Sequence, residues 1–193
     1  PILEKHAGAH VRDLAFLLPS GIISRPLVPL SHVRIGEVQT VAVTIDGYPR
    51  PGPKGPWRID TSDGRDRLAL VYFHRLHGMD KHHPIGARRL VSGKIEKFNN
   101  FLQISHPDYL VDAEHSEEIP ACEPVYPATL DLSSRMLRKL VQTALSALPA
   151  LPEWHDEAII RKYLWPSFHA ALEASHIPQG VLDLAPDAKP RQR

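Results

Sequence analysis

Residues 90–109 read LVSGKIEKFNNFLQISHPDY, and the two Asn at the centre decide how the chain is parsed. Asn tolerates the left-handed backbone of a two-residue hairpin loop, so Asn99-Asn100 separates a strand over 88–98 from another over 101–106. Three strands precede this pair. Val41, Val43 and Ile45 alternate with Thr40, Ala42 and Thr44 until Asp46-Gly47 breaks the run. WRIDTSDG adds a strand and a turn on Asp63-Gly64, and RLALVYF, residues 67–73, adds the next. Five short strands joined by turns, with no long helical period between most of them, predict a small closed barrel.

The segment GYPRPGPKGP, residues 47–56, cannot join a ladder because its four Pro lack N–H groups. It is expected to be an exposed loop carrying Arg50 and Lys54. Helical signals lie outside the barrel. VRDLAFLL, residues 11–18, reads as a short helix stopped by Pro19-Ser20-Gly21. Leu132, Met136, Leu137, Leu140, Val141, Ala144, Leu145 and Leu148 share one helical face, with Ser133 as N-cap and Pro149 as stop. SFHAALEASH after Pro166 forms a further helix. The expected fold class is α+β, mainly β. Its parts are an N-terminal helical segment over 1–30, the barrel over 31–112, an acidic connector over 113–131, a helical segment over 132–180 and a linker or tail over 181–193.

Bulk properties narrow the function classes. One cysteine, Cys122, excludes an intramolecular disulfide framework, and no stretch approaches the roughly 20 apolar residues of a membrane span. A reducing, cytoplasmic setting is expected. PILEKHAGAH lacks the apolar core of a secretory signal and opens without Met, as expected of a piece of a longer protein. The formal net charge is +1, but residues 50–97 hold eleven Lys and Arg against five Asp and Glu. Residues 108–131 hold seven Asp and Glu and no Lys or Arg. A basic zone steers polyanions; charge alone, however, favours an ordinary solvated face.

The Gly93-Lys94 pair fails as a phosphate loop, because Gly86 precedes Gly93 by seven positions and Ile95 continues a strand where Ser or Thr should open a helix. His74, His77, His82, His83 and His106 lack a Cys or carboxylate partner at a ligand spacing, and no HExxH or CxxC occurs. Cys122 sits in an acidic stretch, which disfavours a thiolate, and no G-x-S-x-G elbow exists. No catalytic constellation emerges. What remains is Val71-Tyr72-Phe73 at a strand end, followed by Arg75, with Arg88, Arg89, Lys94 and Lys97 further on. Rings beside cations on a small barrel suit nucleic acid. Adjacent strand residues face opposite ways, so one of Tyr72 and Phe73 belongs to the core. The strand end favours Phe73 as the ring at the rim.

Taken in order, VRDLAFLLPS, LALVYFH, GARRLVSGKIEKFNNFLQISHPDY, EPVYPATLDLSSRMLRKLV and LPEWHDEAIIRKYLWPSFHAALEASHIP closely resemble the N-terminal region of bacterial RecG-type DNA helicases. The resemblance spans nearly the whole chain. It implies a five-stranded Greek-key barrel of the oligonucleotide/oligosaccharide-binding (OB) type, the wedge domain, plus a helical segment leading to a motor. In that family the wedge enters the branch point of a stalled replication fork or Holliday junction and splits the strands while a separate ATPase pulls the duplexes, in DNA repair and recombination.

By that resemblance Phe73 takes the place of an aromatic that stacks on a base, and His77 stands where some relatives have a second aromatic. Arg75, Lys94 and Lys97 match basic positions; Tyr72, Arg88 and Arg89 join them as candidate DNA contacts, as do Arg50 and Lys54 from the Pro-rich loop. The partners implied are branched DNA and the motor domains of the same parent chain, with no membrane and a nucleoid-associated setting. No Walker motif is present, so the chain itself is expected to be non-catalytic and without cofactor, with ATP and magnesium belonging to the full-length parent. Two other readings stand beside this one: an OB-fold interaction module without a nucleic-acid role, and a metal-dependent hydrolase built on the His loop, which a metal analysis would test.

Overall fold

The computed structural model describes residues 2–52, 55–74, 78–149 and 152–191. It divides into two compact units, Ser24–Ala121 and Pro1–Ile23 with Cys122–Arg193. In chain order the elements are α1 (Ile2–Ala7), α2 (Val11–Ala15), β1 (Gly21–Ser24), β2 (Val38–Gly47), β3 (Trp57–Ser62), β4 (Arg67–Tyr72) and α3 (Met79–His82). There follow β5 (Arg88–Lys94), β6 (Glu96–Phe98), β7 (Phe101–Ser105), β8 (Tyr109–Asp112) and β9 (Cys122–Val125), then α4 (Ser134–Ser146), α5 (Glu157–Tyr163) and α6 (Phe168–His176).

The unit Ser24–Ala121 is the barrel. Its strands lie in the order β6-β7-β4-β3-β2-β5-β8. β5 and β6 are two parts of one run, 88–98, broken only at Ile95. β5 pairs antiparallel with β2 near one end of that order, and β6 pairs antiparallel with β7 at the other. One run therefore holds both sides, and the sheet closes on itself. Ile95 leaves the ladder because its N–H donates to the Glu37 carbonyl and its own carbonyl accepts from Gly36, and it is fully buried at that joint. Counting 88–98 once, the barrel has the five expected strands. β7 runs parallel to β4, which distinguishes the topology from a simple meander. β8, which pairs with β5, was not expected.

Alternation fills the barrel as the sequence implies. Val41, Val43 and Ile45 of β2, Ile59 of β3 and Leu68, Leu70 and Tyr72 of β4 meet Val91, Ile95 and Ile104 in one core. Gly93 explains the Gly-Lys pair. A Cβ there would lie 2.5 Å from Ile104 Cγ2 and 3.4 Å from Pro107 Cα, so this glycine is needed for close packing between β5 and the strand end after β7. The β3–β4 turn is held by the Asp63 carboxylate, which accepts the N–H groups of Asp66 at 2.8 Å and Arg65 at 2.9 Å. Those bonds lower its pKa.

The other unit joins both ends of the chain, where separate segments over 1–30 and 132–180 were expected. β1 pairs with β9, and Leu14 of α2 packs with Leu137, Val141 and Ala144 of α4 around Tyr126. The N-cap of α4 is Ser133, whose Oγ accepts the Met136 N–H at 3.2 Å. Met136 departs from its expected place in the apolar face and is 51% exposed, since it lies about 100° around the helix from Leu137, beside the stripe that α2 covers. Residues 181–193, expected as a linker or tail, include Arg191, whose guanidinium donates to the carbonyls of Leu184 and Pro19. α1 and α5 were not read from the sequence.

Candidate nucleic-acid interface

β4 delivers two aromatics to one end of the barrel and sends them opposite ways. Tyr72 follows the parity of Leu68 and Leu70 into the core, and burial, with Tyr48 nearby, pushes its hydroxyl pKa up to about 12. Phe73 turns outward and is 64% exposed. A residue from the next hairpin fixes it there. His106 follows β7 in the left-handed conformation, φ 49°, and its N–H donates to the Val71 carbonyl at 2.8 Å. Its Nε2 accepts the Phe73 N–H at 3.2 Å. The imidazole then lies 5.2 Å from the Phe73 ring, 5.8 Å from Tyr72 and 6.0 Å from His74.

The rest of the HPDY motif holds His106 in register. Pro107 approaches Gly93, the Asp108 N–H donates to the Ser92 carbonyl, and the Asp108 carboxylate accepts Arg25 Nη1 at 2.8 Å. The Arg25 guanidinium also donates to Ser92 Oγ and lies 5.0 Å over the Tyr109 ring.

Beside the rim is a cleft of about 560 Å³ lined by Tyr48, Arg50, Trp57, Arg58 and an edge of Tyr72, among others. Trp57 stands directly across the β3–β4 ladder from Tyr72. Tyr48 closes one wall, its hydroxyl donating to the His83 carbonyl at 2.5 Å; burial first and the nearby Asp80 second raise its pKa. Arg58 pairs with Asp60. An aromatic-walled slot with guanidinium groups at its edge can take a flat ring and the phosphate next to it.

The expected contacts are not gathered in one patch. Arg50 lines the cleft, Arg88 and Lys94 are exposed at the two ends of β5, and Lys97 is exposed on β6. Lys54, Arg75 and His77 lie outside the described residues. Arg89, a candidate DNA contact, faces inward instead, and Tyr72, kept as a candidate beside Phe73, is the core member of that pair. Arg89 shares the inward face of β5 with Val91 and is spent on internal partners: Nε donates to His83 Nδ1 at 3.0 Å, and Nη1 to Asp112 at 2.7 Å. Nη2 donates to the His82 carbonyl. This environment, burial first, lowers the His83 pKa, in keeping with a neutral ring that accepts a hydrogen bond. Among the described residues no three His, Cys, Asp or Glu come together to hold a metal ion.

Trp57, Tyr48 and Arg58 were missed as members of this end of the barrel, and His106, weighed as a metal ligand or a stacker in a base-facing loop, was not read as the residue that holds Phe73. Trp57 stands opposite Tyr72 because the turn spans four residues, 63–66; a two-residue turn on Asp63-Gly64 would have set it opposite Leu70.

No family model matches the chain. Among curated proteins it is similar to the ATP-dependent DNA helicase RecG of Aquifex aeolicus, 28% identical over 184 residues, which covers 89% of this chain and 23% of that protein. The RecG of Acidithiobacillus ferridurans is 22% identical over 171 residues, 86% of this chain and 24% of that protein. A solved structure of RecG bound to a three-way DNA junction superposes with a TM-score of 0.77 over 94% of this chain and 26% of that one, at 20% identity.

The chain resembles the N-terminal wedge region of RecG helicases.

It spans about a quarter of the length of the RecG relatives it matches. The RecG likeness covers both units, so the helical unit is part of the RecG-like region as much as the barrel is. Among the described residues no helix is long and apolar enough to cross a membrane.

Proposed function

We propose that this chain is the branched-DNA-binding wedge region of a RecG-like helicase. It splits strands at a junction while motor domains of the same parent chain, using ATP and magnesium, move the duplexes. The observation that carries this reading is the Phe73 ring, exposed at the barrel rim, held from behind by His106 and set at the end of the barrel where Arg50 and Trp57 line a cleft. A base stacked on such a ring contributes about 1–3 kcal/mol, and neighbouring cations hold the backbone. The RecG of like fold is bound to a three-way junction, which supports the same class of ligand here. Repair, recombination and rescue of stalled forks, in the bacterial cytoplasm and at the nucleoid, are the roles that follow for the parent.

The test is titration of the 193-residue chain against a labelled three-way junction and a linear duplex of equal length, with ATP turnover followed in parallel. Tighter binding to the junction without ATP turnover is expected. Equal affinity for both DNAs would remove the branch-point role, and absence of binding would favour the OB-fold interaction module.

A further inference from the structure

The β6–β7 hairpin ends in two rings that the barrel does not use. Phe98 and Phe101 pair directly across the Asn99-Asn100 turn and are 62% and 65% exposed. Both Asn have positive φ, 45° and 71°, as a tight two-residue hairpin requires. Alternation places the two Phe on the outer face with Gln103, while Ile104 turns into the core. A cross-strand pair that served only the hairpin would bring its rings together. Here neither ring contacts another aromatic among the described residues.

Phe101 is also one wall of an outer-face cleft of about 470 Å³ that Arg58, Arg65 and Arg67 line. The parallel register of Leu68 with Leu102 brings Arg67 alongside Phe101. Arg58 is paired with Asp60, whereas Arg67 has no ion-pair partner among the described residues. On the other side of the rings the Glu96 carboxylate accepts from Ser105 Oγ at 2.7 Å and from Gln103 Nε2 at 3.3 Å, which lowers its pKa and keeps negative charge there. Asp46 and Asp60 line the same cleft, and Asp60 is paired with Arg58, so the positive charge that a polyanion would meet beside the rings is that of Arg65 and Arg67.

We propose that Phe98 and Phe101 form a second stacking site, for an unpaired strand of nucleic acid whose phosphates run over Arg65 and Arg67. The inference rests on the reading of the chain as a DNA-binding region and adds that a freed strand is held at the hairpin tip as well as at Phe73. Rings beside guanidinium groups suit a single strand because every base has a face to stack, whatever its sequence.

The test uses the 193-residue chain and a labelled three-way junction with one unpaired arm of about 12 nucleotides, beside the same junction with that arm paired. Phe98→Leu/Phe101→Leu keeps apolar surface and removes the aromatic faces; Phe98→Tyr/Phe101→Tyr keeps them. The Leu variant should lose roughly 10- to 100-fold in affinity for the unpaired-arm junction and none for the paired one, with its melting temperature unchanged. The Tyr variant should bind as the parent does. Undiminished binding by the Leu variant, or equal loss in the Tyr variant, overturns the stacking site while leaving the wedge reading in place. Failure of the unsubstituted chain to bind either junction overturns both.

Discussion

His106 accepts the backbone N–H of Phe73 through Nε2 at 3.2 Å, across 33 residues of sequence, and its ring lies 5.2 Å from the Phe73 ring at 46°. A single imidazole on the parallel partner of β4 thus fixes where β4 stops being core. Tyr72 and Phe73 are neighbours in sequence, yet the first is a barrel residue and the second a rim residue.

Their substitutions should separate accordingly. Phe73→Ala should weaken binding to a three-way junction by about 1–3 kcal/mol, the stacking of one base, with the melting temperature nearly unchanged because the ring is exposed. Tyr72→Ala should cost about 3–5 kcal/mol of stability, as for other large buried rings. Thermal melts and junction titrations of both variants check this. A Phe73→Ala protein that melts far below the parent yet binds normally would assign Phe73 to the core.

Cations should divide in the same manner. Binding should weaken steeply with salt, and each phosphate contact removed should lower the slope of log affinity on log salt by about 0.9. Arg50→Ala and Lys97→Ala remove exposed charges and should reduce that slope with little effect on folding. Arg89→Ala should leave the slope unchanged and lower stability, because it removes a buried side chain that bonds His83 Nδ1, Asp112 and the His82 carbonyl. Chemical denaturation and titrations over a salt series distinguish the two classes.

What could be read from the sequence follows from the range of each signal. Alternation at Val41, Val43 and Ile45, the Asn99-Asn100 turn and the Ser133 cap are local, and each stands where it was expected. Arg89 was misplaced because arginines usually stay at the surface, while its partner Asp112 lies 23 residues on. Adjacent strand residues alternate, so Arg88-Arg89 within a strand already implied that one of them turns inward. α5 was missed for another reason: it has seven residues, none of them buried, so no apolar stripe marks it. His106 and Trp57 take their places through pairing between strands, which composition and spacing do not report.

Gly93 offers a test of packing against phosphate binding. Gly93→Ala puts a methyl group 2.5 Å from Ile104 Cγ2, and such overpacking costs about 1–3 kcal/mol. Ile104→Ala made in the same chain frees that space, so the two substitutions should couple favourably in a double-mutant cycle. Strictly additive stability losses would place the strain elsewhere, against Pro107.

The last prediction concerns His176 of α6, which is buried in the helical unit between Ala15 of α2 and Tyr126. The Ala15 carbonyl can only accept, so Nε2 carries the proton and donates to it at 2.7 Å; Nδ1 then accepts the Tyr126 hydroxyl at 2.9 Å. Only the second needs the neutral ring, because an imidazolium has no lone pair at Nδ1 to accept the Tyr126 hydroxyl, whereas the bond to Ala15 forms in either state. Burial, the largest cause, lowers the pKa below the ordinary 6.5, with Arg191 adding to it and the Ala15 bond opposing. Between the folded pKa and 6.5 the unfolded chain binds more protons than the folded one, so stability rises with pH in that window. The contribution is complete above the unfolded value and is lost as pH falls through 6.5 toward the folded one. His83, lowered in the same direction, adds a slope of the same sign, so the comparison must be with a variant. His176→Gln removes one titration, and its denaturation free energy should fall less steeply than the parent's between about pH 7 and 5, by at most roughly 1.4 kcal/mol per pH unit. Parallel pH profiles for the two proteins would show that the His176 pKa does not change on folding and would overturn the argument from burial. A parent that gains stability relative to the variant as pH falls would show that the ring is charged in the fold and that the hydrogen-bond assignment at Nδ1 must be reversed.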